Sequence, residues 1–247
     1  MKKTLITMSF LVFSVFAIVA SPSLGGMVGY VVVPSAEVVP SAKNPAVNTA
    51  YSATFTGSQA VHIPSLAISF SDRIETSFAV DIADNTDLLL GGKWRFSKTT
   101  SSSYAAGVLL QLSDVTNTNK VAAQLYVAST FESSIMDLPS KTTILLGYTF
   151  KEQLNSNIDF ALAFQTPLLP DTFKGNVDLL LDFGNVSYST TPSAGKAENR
   201  GMVNVGLRLN PLEILPSVYF GLDIRAMDLF DHIGRAVSIG TNITFRP

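Results

Sequence analysis

The side chains best able to carry chemistry are few. The chain has no cysteine and two histidines, His62 and His232. Without cysteine there is no disulfide, no thiolate nucleophile, no cysteine-based zinc site and no lipid anchor through an N-terminal Cys. The histidines are far apart and neither has an acidic ligand at helical spacing, so no metal site is expected. Asp231-His232 is an acid–base pair, but catalysis would also need a second acidic pair or a serine beside the histidine, and none is evident. Phosphate loops, dinucleotide fingerprints and calcium loops are missing. We expect neither an enzyme nor a cofactor. The net charge is −2 with no basic tract, so a nucleic-acid partner has no electrostatic basis.

What remains is a scattered set of charges: Glu75, Asp81, Lys93, Arg95, Asp159, Asp178, Asp182, Arg208, Asp223 and Arg225. Each falls on the same, less apolar side of an alternating segment. Two uses are open. The charges can pair with one another and fill the space they face, or they can line a wet passage and bias which solutes enter.

The elements that must position them read as strands. In Thr86–Ser97, Leu88, Leu90, Gly92, Trp94 and Phe96 oppose Leu89, Gly91, Lys93 and Arg95. In Lys120–Glu132, Val121, Leu125, Val127 and Phe131 oppose Ala122, Gln124, Tyr126 and Thr130. The same alternation runs through 157–166, 175–184, 202–210 and 217–225, as a two-faced sheet requires. Further strands are expected at 47–56, 62–71, 74–82, 104–113, 141–151 and 235–246. That makes about 12, with 10 to 14 acceptable, an even number as single-chain bacterial barrels need. Turns are expected at 71–73, 84–86, 114–117, 138–140, 155–157 and 169–171. The polar stretch 189–200 is expected to be a long exposed loop.

Composition says which solvent the apolar face meets. Hydrophobic residues make up 47% of the chain, charged residues 15%, and the mean hydropathy is +0.31. A soluble sandwich carries Lys, Glu and Gln on its outer face. Here one face is Leu, Val, Ile and Phe on strand after strand, and the other is small or polar. We therefore expect an all-β fold, a single antiparallel transmembrane β-barrel with the apolar face toward lipid. Phe55, Phe70, Phe96, Phe131, Phe150, Phe164, Phe183, Phe220 and Phe245 lie near strand ends, where interfacial girdles form.

Met1-Lys2-Lys3, the apolar run Thr4–Ala20 and the small residues after it have the order of a secretory signal peptide. Residues 1–23 are assigned to it, with cleavage near 20–25 and after Ala20 or Ser23 in particular. Residues 24–46 form an N-terminal segment, an extra strand or a plug, and 47–247 the barrel. With both termini in the periplasm, the loop at 189–200 lies outside the cell. The turn regions at 136–140, 166–173 and 211–216 lie inside, where their apolar residues either cap the barrel or meet a partner.

The last strand, Ala236–Phe245, ends Ile243-Thr244-Phe245. It resembles the aromatic-ended terminal strand recognised by the outer-membrane assembly machinery, except that Arg246-Pro247 follow. The opening Gly26-Met27-Val28-Gly29-Tyr30-Val31-Val32-Val33-Pro34-Ser35-Ala36-Glu37 resembles that of outer-membrane porin-type barrels, including the YjbH-like group linked to exopolysaccharide secretion. The resemblance implies a barrel in the bacterial outer membrane, with the bilayer and the assembly machinery as partners. Function is expected to be a narrow porin-like channel for small solutes. The alternative is a non-conducting structural or docking barrel of the envelope, one possibility being polysaccharide export. Neither the solute nor the oligomeric state is legible.

Overall fold

A computed structural model describes residues 21–39, 45–57, 59–117, 120–151, 158–185, 201–230 and 235–247. The expected signal run, the pair Asp231-His232, the turn at 155–157 and the loop at 189–200 lie outside the described residues.

Twelve strands close into one antiparallel barrel in which each pairs with its sequence neighbours and β1 pairs with β12. They are β1 (Ala46–Phe55), β2 (Ala60–Ser69), β3 (Ile74–Ile82), β4 (Thr86–Lys98), β5 (Ser102–Ser113), β6 (Lys120–Ile135), β7 (Leu138–Lys151), β8 (Asp159–Pro167), β9 (Val177–Gly184), β10 (Met202–Leu215), β11 (Val218–Met227) and β12 (Ala236–Phe245). One four-residue helical turn, α1 (Pro170–Phe173), interrupts the β8–β9 connection. No described helix is long and apolar enough to cross a membrane, so any crossing is made by strands.

Alternation decides which way each side chain points. In β12 the burial pattern is strictly every second residue, with Val237, Ile239, Ile243 and Phe245 outside and Ser238, Asn242 and Thr244 inside. Trp94 is 56% exposed, Leu125 52% and Leu162 49%. Such a belt of bare apolar side chains around a closed sheet is stable only in lipid, where the ladder also satisfies every strand's backbone groups. Aromatics sit toward both ends of the belt. Phe70, Trp94, Phe96 and Phe245 lie near the rim where β1 starts and β12 ends, and Phe55, Phe150 and Phe183 near the far rim.

Five strands are longer than the roughly 9–11 residues of a tilted crossing, β4 with 13 and β5 with 12 residues among them. β6 has 16 residues, and β7 and β10 have 14 each. The sequence reading placed turns at 138–140 and 211–216. Instead Pro139 pairs with Ser134 inside the β6–β7 ladder, and β10 continues through Pro211 to Leu215. The real turn is Met136-Asp137, both at positive φ (52° and 64°), the left-handed pair that a two-residue hairpin of matching twist needs.

Candidate functional site: the filled lumen

The barrel interior is not empty. Ser21–Val39 lies inside it, and nearly every residue of that run is buried. The run adds no strand to the sheet. It folds on itself through isolated bridges between Pro22 and Val28 and between Gly29 and Pro34. Gly29 makes that compact turn feasible, since a Cβ there would stand 2.3 Å from the Val33 carbonyl oxygen.

The wall leaves room for it. Inward positions include Ala105, Ala128, Ala161 and Ala163 beside Leu89, Leu145 and Leu180, which form one apolar cluster with Leu24, Met27, Val31 and Val33. Gly91 and Gly206 sit where the segment packs against the wall. A Cβ at Gly91 would lie 3.0 Å from the Met27 side chain, and one at Gly206 would lie 3.3 Å from Val31 Cγ2. Tyr126 leans over Gly107 and donates its hydroxyl to Met27 Sδ at 3.3 Å. Full burial of a Val or Leu side chain contributes about 1.5–3 kcal/mol, so these contacts hold the segment as firmly as a small core.

Polar anchors are distributed around the circumference. Asp182 on β9 is the most concentrated. One oxygen, Oδ2, accepts the successive backbone N–H groups of Val31, Val32 and Val33 at 3.0, 2.8 and 3.2 Å, while Asn204 donates to Oδ1. Three convergent N–H groups form a nest suited to an anion, and the wall's own carboxylate occupies it. On the opposite side Glu75 accepts from Val28 N at 3.0 Å and Val39 N at 3.2 Å. Lys93 pairs with Glu75 at 3.0 Å and donates to the Val28 carbonyl at 3.2 Å.

A triad of charges grips the chain on β10 and β11. Arg208 Nε and Arg225 Nη2 both bind the carboxylate of Asp223, at 2.8 and 2.5 Å. Arg208 Nη1 donates to Gly29 O at 2.8 Å, and Arg225 Nη2 donates to Pro22 O at 3.0 Å. Two cations and one buried anion would be costly alone. The segment's carbonyl oxygens supply the missing acceptors. On β6 and β7, Tyr30 and Thr143 share a hydroxyl bond of 2.8 Å, Thr130 accepts Ala36 N at 2.9 Å, and Lys141 binds Glu37 at 2.8 Å.

All ten charges singled out from the sequence are buried inside the barrel. Glu75, Lys93, Asp182, Arg208 and Arg225 touch the inner segment, and Asp223 orients two of them. The rest do not. Asp178 is bonded by Gln165, and Asp159 by Gln124 and Thr149. Arg95 donates to the Asp72 carbonyl at the rim, and Asp81 stands opposite Asp87 in the β3–β4 register. Asp87 itself is inward and holds Gln111. It escaped the reading although it lies two residues before inward Leu89, which was the available signal. Lys141 and Thr143, whose strand was given no faces, were also missed. Among the described residues no group of three or more His, Asp or Glu is arranged to hold a metal ion.

A recess of about 30 Å³ remains beside the segment, lined in part by Ser21, Glu37, Lys141, Gln165 and Asn210. That is room for about one water, far from a passage for a solute.

No protein-family model matches the sequence, and no curated protein matches it either. Solved structures do match in fold. A NanC porin superposes with a TM-score of 0.54 at 8% identity, covering 81% of this chain and 100% of its own. A KdgM porin gives 0.52 at 8% identity, covering 81% and 99%. The KdgM porin in complex with disordered oligogalacturonate gives 0.51 at 9%, covering 82% and 99%. At such identities the likeness is one of fold, and that fold is the bacterial outer-membrane porin barrel.

Proposed function

We propose that this protein is a porin-like outer-membrane channel for small solutes whose passage is closed, in the conformation described, by its own residues 21–39. One observation carries the reading: the sheet closes without the segment. β1 pairs with β12 over nine residues and with β2 over ten, and no strand depends on the inner run for a ladder partner. Removing the run therefore costs wall contacts but opens no sheet edge, which in lipid would be prohibitive. What it would uncover is a lumen bearing Glu75, Lys93, Asp182, Arg208 and Arg225, a lining of both signs.

A second reading is favoured by the same contacts seen as permanent. The ion pairs interlock and Leu24 and Val31 pack against Leu89, Leu145 and Leu180, so the filled barrel would serve as a structural or docking element of the envelope. Planar-bilayer recording separates the two. The complete mature protein is expected to be closed most of the time, and a variant lacking residues 21–39 to conduct steadily. Adding the 21–39 peptide to that variant should close it again. A truncated barrel that is correctly folded yet silent would favour the structural reading.

A further inference from the structure

The sequence leaves the site of leader removal open, since small residues that suit the position before the cut recur at Ala20, Ser23 and Gly25. We infer that the mature chain begins at Ser21. Ser21–Val39 is built into the lumen. The Ser21 carbonyl accepts Gly29 N at 3.1 Å. The Pro22 carbonyl accepts Arg225 Nη2 at 3.0 Å and Arg208 Nη2 at 3.4 Å. Ser23 donates both its N–H, at 2.7 Å, and its hydroxyl, at 3.0 Å, to the Met27 carbonyl.

A cut after Ser23 would remove all of these and leave two buried guanidiniums sharing Asp223 with no carbonyl from Pro22. Buried cations short of acceptors are among the costlier defects a protein can carry. A cut after Gly25 would also remove Leu24, which is 2% exposed and donates its N–H to Val31 O at 3.0 Å. Of these three sites, only Ala20 gives a cut that leaves the whole lock in place.

The step is amide hydrolysis by a leader peptidase of the cell envelope. Water adds across the Ala20–Ser21 bond. Ala20 leaves with the carboxylate, and Ser21 keeps the amine, which is protonated near neutral pH. Ser21 lines the recess that also holds Glu37 and Lys141. Arg208 lines it as well, so the new terminus is created in a recess that holds charges of both signs. Processing and plugging are coupled in this scheme, because the cut defines the first residue of the lock.

The test is the intact mass and N-terminal peptide of protein purified from outer membranes with its own leader. A mature form beginning at Ser21 is expected. A form beginning at Leu24 or Gly26, or a retained leader, would overturn the inference. Neither outcome depends on whether the barrel conducts. A second variant, with residues 21–23 deleted behind the same leader, checks that these residues belong to the lock. It should assemble as a heat-modifiable barrel whose inner segment is cut by added protease at least tenfold faster than in the parent. Equal cutting rates would contradict their part in the lock.

Discussion

The two faces of the barrel wall follow different rules. The outer face meets one uniform solvent, and any large apolar side chain serves: Leu125, Ile144, Leu146, Leu162 and Val237 are interchangeable in kind. The inner face meets a single folded partner, and each position has its own task. Asp182 must reach three N–H groups, Gly206 must leave room for Val31, and Asp223 must hold two arginines. Redundancy protects the outer face against loss of any one residue but not against a charge. The inner face accommodates charge where a partner meets it and tolerates loss of that partner poorly.

That contrast can be broken at graded cost. The largest effect is expected on the inner face at Asp223. Asp223→Ala leaves Arg208 and Arg225 buried without their shared anion, a defect of about 3–5 kcal/mol, and should lower the yield of folded barrel seen as a heat-modifiable band. Next is a charge on the outer face. Leu181→Arg should cost about 2–4 kcal/mol near the midplane and slow folding into liposomes, whereas Leu181→Val should fold at the parental rate. If the arginine variant also folded normally and stayed monomeric without detergent, the lipid-facing assignment would fail.

Asp182→Ala comes third. It orphans the N–H groups of Val31, Val32 and Val33, and because water can enter the space the carboxylate leaves, the net loss is about 1–3 kcal/mol. The barrel should remain intact while those three amides lose protection in hydrogen exchange. Unchanged protection would show that the apolar contacts alone seat the segment. The smallest effect is expected at Asp178, which faces inward but is bonded by Gln165 rather than by the segment. Asp178→Ala should change folding by less than about 1 kcal/mol and leave exchange at Val31–Val33 as it was.

Much of the wall was legible because a period of two residues is written locally. β3 (Ile74–Ile82) lies at the expected 74–82, and most other strand boundaries fall within two residues of expectation. The longer strands departed from it for a definite reason. Pro139 and Pro211 are strong turn residues in a sequence, yet both sit near the rim of the barrel, where a missing N–H in the ladder faces no lipid core. Conversely Met136-Asp137 carries none of the Asn-Gly chemistry that advertises a two-residue hairpin. The inner segment was harder to place. Val31-Val32-Val33 does not alternate, because it is covered on all sides, and nothing local says that its covering is the wall of its own barrel. The inward charges were visible by parity. Their partners were not, since Asp182 and Val32 are 150 positions apart.

The measurement closest to the central claim uses the absence of native cysteine. Val31→Cys together with Gly206→Cys puts one thiol on the segment and one on the wall, at a site where a Cβ on residue 206 lies 3.3 Å from Val31 Cγ2. Single-channel conductance of this double variant is then recorded under oxidising and reducing conditions. If residues 21–39 close the passage and leave it to open, openings should be abolished by oxidation and restored by reductant, with both single-cysteine variants indifferent to either. Equal conductance in the two conditions, with the disulfide verified by mass, would contradict the account.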